Sequence, residues 1–183
     1  MTTSVVAPAQ ARKPKAAHLA LTFAIAFVVL VAVLHGVRAD LVPRAHVLSE
    51  YALGPTGWLM ALAFFALAAS FAALLVALWT SLPGWRGVLG RVSLVSAALG
   101  AAMGGLFPMD PIGTPPEQAS VSAQLHNLAF MLGGPGTLAA ITFVNLTLAR
   151  QPAWRGARRM LLITSALAWL AMVVFFVAVS MLM

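Results

Sequence analysis

Five stretches of this chain are long and apolar enough to cross a lipid bilayer as helices. They run from His18 to Val37, Gly57 to Leu82, Gly87 to Phe107, Val121 to Leu148 and Met160 to Met181. About 20 helical residues span the hydrocarbon layer. Inside lipid every backbone N–H and C=O must be paired within the protein, which excludes irregular chain and open strand edges. Composition agrees, with 62% hydrophobic and only 8% charged residues, where soluble domains carry about 25% charged residues. A soluble fold of 183 residues leaves too much surface in water to hide that many apolar side chains. The expected fold is an all-α integral membrane helical bundle with five transmembrane helices. Pro83-Gly84, the Pro108 to Gly113 segment and Pro152 punctuate the runs.

Residues 1–16 are rich in Pro, Ala, Gln and Lys and are expected to form a disordered basic tail. Residues 17–183 are expected to form a single transmembrane domain. A signal peptide has a basic start and an apolar region of roughly 7–15 residues. The first apolar run, Leu19 to Gly36, is longer than that, so it is expected to be a retained span.

The charges are distributed unevenly. Arg12, Lys13, Lys15, Arg86, Arg91, Arg150, Arg155, Arg158 and Arg159 fall at one set of span ends. Arg38 and Arg44 fall at the other, together with all four acids: Asp40, Glu50, Asp110 and Glu117. The positive-inside rule makes the first side cytoplasmic. The expected orientation is N-terminus in and C-terminus out, as a multi-pass protein of the inner (plasma) membrane. The net charge of +7 is then explained by topology and anionic lipid headgroups. No nucleic-acid motif accompanies it, and membrane lipids are the expected partners, with no soluble partner. The absence of cysteine excludes disulfides and thiolate chemistry.

Chemistry, if present, is expected at the acid-bearing face. There "DLVPRAHVLSEYALGP" reads as a short interfacial helix before the second span, opened by Pro43 and stopped by Gly54-Pro55. On it His46 and Glu50 stand at i and i+4, with Ser49 beside them, and Val47, Leu48 and Tyr51 turn toward the headgroups. Asp110 sits between Pro108 and Pro111 after the third span, and His126 lies about one turn into the fourth. Consecutive antiparallel helices bring Asp110 and His126 to one end of the bundle. Glu50, Asp110 and His126 are the candidate catalytic cluster. His46, Glu50, Asp110 and His126 are the candidate metal ligands. Each also has a plain structural role: Asp110 as a cap for loop amides, His126 as an interhelical hydrogen bond, Glu50 as a partner of Arg38 or Arg44. Ser49 as a nucleophile is the weaker variant, because a base must reach it and be oriented by a third group.

Two packing signals lie within the spans. Gly100 and Gly104 form a Gly-x-x-x-Gly in the third, suited to close helix approach within the chain or in a homo-oligomer. "LGGPG" in the fourth predicts a kink or break. Asn145 and neighbouring threonines are expected to hydrogen-bond between helices, and Trp58, Trp79, Trp85 and Trp154 to anchor span ends.

The chain resembles a family of small bacterial membrane proteins, domain-of-unknown-function family 998. The resemblance rests on "SEYALGPTGWLM" (Ser49, Glu50, Gly54), on "LFPMD" (Phe107, Pro108, Asp110) and on His126, and covers roughly residues 17 to 180. It implies a polytopic helical bundle, in members that often have six spans, and implies no activity. The sequence therefore describes a membrane protein of uncharacterised function with a polar site at the outer face. A metal-dependent hydrolase or lipid-modifying enzyme at that interface is one alternative. A small transporter working through the kinked fourth helix is another. No particular cofactor is implied.

Overall fold

The computed structural model describes residues 13–182. It has five long helices: α1 (Pro14–Val37), α2 (Gly57–Leu78), α3 (Gly84–Leu106), α4 (Val121–Leu148) and α5 (Arg158–Leu182). All five are long and apolar enough to span a membrane, and no strand occurs among the described residues. The fourth span has the expected bounds. α1, α3 and α5 begin earlier than expected, because a helix continues past the hydrocarbon edge with Lys15, Arg86 and Arg158 in its first turns. Most of the tail expected to be disordered, residues 1–12, lies outside the described residues, while Pro14 already occupies the first turn of α1, a position where a missing N–H costs nothing.

Each helix packs on its chain neighbours, α3 against α4 most extensively and α5 against α4 least among the long pairs. α3 has a mean hydropathy of 1.4 against 2.6 for α1. It tolerates this because its glycines and serines meet protein rather than lipid. A Cβ on Gly100 would lie 2.5 Å from the Cα of Gly133 on α4 and 2.7 Å from the Ala129 carbonyl. On the other side, a Cβ on Gly105 would lie 3.1 Å from the Ala61 carbonyl of α2. The close approach these glycines allow is thus made inside the chain.

Hydrogen bonds between spans follow the same logic, since an unpaired polar group in hydrocarbon is costly. Ser70 of α2 donates to the Ala20 carbonyl of α1 at 2.9 Å. Asn145 of α4 places its amide nitrogen 3.0 Å from the Leu161 carbonyl and 3.1 Å from both Thr164 Oγ1 and Ser165 Oγ of α5. The interhelical role expected of Asn145 is therefore present. Trp169 of α5 donates its indole N–H to Thr142 Oγ1 of α4 at 3.0 Å. The break expected at Gly133 to Gly136 is absent as an interruption, because α4 runs continuously through Pro135. Ser96 of α3 donates to the Leu132 carbonyl at 2.9 Å, beside the carbonyl of Met131 that Pro135 leaves without a helical donor.

Two apolar cores form, one toward each end. Leu82, Leu94, Val144, Leu148 and Leu161 pack near the basic end. Leu34, Tyr51, Met60 and Ala63 pack near the acid-bearing end. The second core anchors the loop that carries the site.

Candidate functional site at the acid-bearing end

The short helix expected before the second span is present in the α1–α2 connection, but it starts later than Pro43 and is not a regular α-helix. Pro43 to Ala45 form a turn, and only Leu48–Ala52 are helical, as a single 3-10 turn. Tyr51 explains the difference. Its ring is 1% exposed, packed 5.1 Å from the His35 imidazole of α1, and its hydroxyl donates to the Leu41 carbonyl at 3.0 Å. Tyr51 points into the bundle rather than to the headgroups, and a regular helix from Pro43 is given up to seat it.

Glu50 secures the same turn from the other side. Its Oε1 accepts the Val47 N–H at 2.8 Å, and its Oε2 lies 2.9 Å from His46 Nδ1. The expected His46–Glu50 pair is therefore formed, across a turn entering a 3-10 helix. Arg38 does not bind Glu50; it clamps Asp40 through Nε at 2.9 Å and Nη2 at 2.8 Å, and its Nη1 donates to the Leu53 carbonyl at 2.6 Å. The hydrogen bond from Arg38 holds the Asp40 carboxyl below the usual carboxylate range. Gly54 closes the loop with φ +84°, a backbone that side-chain-bearing residues rarely adopt.

Asp110 takes the plain structural role open to it, as a cap for a loop amide, and does not meet His126. Its Oδ2 accepts the Ser120 N–H at 2.7 Å and its Oδ1 the Ser120 hydroxyl at 2.8 Å. Ser120 Oγ in turn accepts the Ala123 N–H at 3.0 Å and caps α4. Asp110 thus braces the helix cap. Replacing it with alanine is expected to lower stability by roughly 1 kcal/mol, the usual worth of such hydrogen bonds. Thermal unfolding in detergent checks this, and an unchanged midpoint would count against the bracing role.

His126 enters from α4, 7% exposed, at the point where three elements meet. Its Nδ1 lies 2.7 Å from the Phe107 carbonyl at the end of α3, and its Nε2 lies 3.0 Å from Ser49 Oγ. Phe64 of α2 presents its ring edge-on, 6.3 Å away between centroids. The partner that matters at His126 is therefore Ser49, not Asp110. The two residues are 77 positions apart in sequence; only the shared face of their loops signalled that they could meet. His46, Glu50, Asp110 and His126 are not gathered as a ligand set: among the described residues no group of three or more His, Asp or Glu is placed to hold a metal.

Ser49 and His126 also line a cavity of about 450 Å³. It opens between α2, α3, α4 and α5, with walls that include Phe64, Ala101, Ala129, Leu138, Met172 and Phe175. Apart from Ser49 and His126, Thr137 brings the only polar side chain to it among the described residues. Its volume falls in the roughly 300–1,000 Å³ range of small-molecule sites.

Five apolar helices joined by polar loops, four of them lining an open apolar cavity, define a polytopic helical membrane protein. The chain belongs to the family described as protein of unknown function DUF998, which it matches over residues 5–182. No curated protein and no solved structure matches it.

Proposed function

We propose that this membrane protein takes the apolar part of an amphiphile, such as a lipid acyl chain, into the chamber and meets the amphiphile's polar group with Ser49 and His126. The observation that carries this reading is the Ser49–His126 hydrogen bond, 3.0 Å long, set in an otherwise apolar wall. Polar groups are expensive at membrane depth and are kept where they bind or react. Binding sites for amphiphiles combine apolar walls with a few placed polar groups. The charge asymmetry supports an outer-face location, with the N-terminus in and the C-terminus out of an inner membrane.

Photo-crosslinking with a diazirine-bearing palmitate analogue tests the reading. Crosslinks are expected on chamber-lining residues of α2, α4 and α5. Gly134→Leu is expected to reduce them several-fold, since Gly134 lines the chamber and a Cβ there meets nothing closer than 3.9 Å. Crosslinks confined to the outer surface of the bundle and unaltered by Gly134→Leu would overturn it.

A further inference from the structure

The geometry points to a chemical step at this site: we propose that Ser49 is a nucleophile and His126 its general base, acting on the ester carbonyl of an acyl-bearing amphiphile. This rests on the amphiphile-binding reading above and goes beyond it. The argument begins with the imidazole tautomer. A backbone carbonyl can only accept, so the contact of 2.7 Å to Phe107 O places the proton on His126 Nδ1. In the neutral ring Nε2 then carries the lone pair. At 3.0 Å from Nε2, the Ser49 hydroxyl is the donor. A serine hydroxyl donating to an imidazole, itself oriented through its other nitrogen, is the arrangement that activates a nucleophile.

The surroundings hold this pair in place. Ser49 stands in a 3-10 turn that Glu50 ties to the Val47 N–H at 2.8 Å and that Tyr51 ties to the Leu41 carbonyl at 3.0 Å. His126 is bounded by Phe64 and lies on a helix capped by Ser120 and Asp110. The pair is at the loop end of the chamber. An acyl chain lying among Phe64, Ala129 and Phe175 would bring its carboxyl end to Ser49, with its leaving group toward the loops. In the sequence Ser49 is the weaker variant because a base must reach it and be oriented by a third group; here the base comes from α4 and the Phe107 carbonyl orients it.

The step balances with water as the second reactant. Ser49 Oγ forms a bond to the acyl carbon while its proton moves to His126 Nε2. The ester C–O bond breaks, and the leaving alcohol takes the proton from Nε2. Water then attacks the acyl-Ser49 carbon and gives a proton to Nε2. The Ser49–acyl bond breaks, Ser49 recovers that proton, and the free carboxylic acid departs. Through both halves the Phe107 carbonyl keeps Nδ1–H in place and stabilises the transient imidazolium.

The test uses the full chain in detergent with a long-chain alkyl fluorophosphonate, read by peptide mass spectrometry, alongside the palmitate crosslinking described above. The expected result is an adduct on Ser49, absent in Ser49→Ala. In His126→Gln the rate of adduct formation, measured at saturating probe so that weaker binding of the polar group does not account for the change, is expected to fall on the order of 10²-fold or more, the usual worth of a general base. Crosslinking without an adduct on Ser49, or an adduct rate unchanged in His126→Gln, overturns the nucleophile and leaves amphiphile binding standing. Loss of chamber crosslinking in the wild-type chain overturns both.

Discussion

Replacing Gly100 with valine is expected to abolish the folded bundle, whereas Gly133→Ala directly opposite is expected to be tolerated. The two glycines face one another across the α3–α4 contact, yet their surroundings differ. A Cβ on Gly100 would meet backbone on α4, at 2.5 Å from Gly133 Cα and 2.7 Å from Ala129 O. A Cβ on Gly133 would meet Gly100 Cα at 3.5 Å, an ordinary contact. Backbone atoms in helices cannot rotate aside, so at Gly100 the helices must separate. The separation strains the most extensive helix pair in the molecule. It also pulls apart Phe107, at the end of α3, and His126, near the start of α4. Overpacking typically costs 1–3 kcal/mol and more where nothing can yield. The gain in helix propensity on replacing glycine, up to about 1 kcal/mol, offsets only part of this. Size-exclusion profiles and thermal midpoints in detergent decide the matter. A Gly100→Val chain that elutes and melts like the wild type would show that α3 and α4 are not seated this closely.

The architecture was readable because lipid imposes so strong a rule: helices, of about 20 residues, wherever the apolar runs are that long. Val121–Leu148 was placed to the residue because Ser120 caps one end and the polar Arg150-Gln151-Pro152 stretch follows the other. Helix starts at Pro14, Gly84 and Arg158 were not, since hydropathy reports where hydrocarbon ends rather than where hydrogen bonding ends. Pro135 suggested a kink or a break; there is no break, because α4 is held on either side by α3 and α5 and tertiary packing keeps it helical. The site was half legible. Charge asymmetry singled out the end of the bundle where Ser49 and His126 meet, and included His126 and Glu50. It paired Glu50 with His46, as found, but set Asp110 beside His126, because every polar group there has several equally plausible partners in sequence. Asp110 went to Ser120 and His126 to Ser49. The second choice depends on where Tyr51 is buried and how the Leu48–Ala52 turn lies on α2, and neither leaves a periodic trace.

That turn can be displaced by a single atom group. Gly57→Val is expected to lift it from α2 while leaving most of the bundle folded. Gly57 opens α2 directly beneath Ala52, and a Cβ there would collide with the Ala52 carbonyl, lying 2.7 Å from its carbon and 3.3 Å from its Cα. Only movement of the Leu48–Ala52 backbone relieves the clash, and Ser49 moves with it. The core of Leu82, Leu94, Val144 and Leu148 lies at the opposite end and shares none of these residues. The Glu50 and Leu53 amides, bonded to the Val47 and Glu50 carbonyls at 3.0 Å, report the change by hydrogen exchange. Their exchange is expected to quicken at least about tenfold, equivalent to about 1.4 kcal/mol of lost local stability. Amides in the middle of α3 should keep their protection. Gly36→Ala, where a Cβ has nothing within 4 Å, should leave both sets unchanged. If the Gly57→Val chain kept wild-type exchange at Glu50 and Leu53, the turn would not rest on α2 as described. The placement of Ser49 against His126 would then lose its support, since the 3.0 Å hydrogen bond between them depends on a loop that one methyl group should be enough to move.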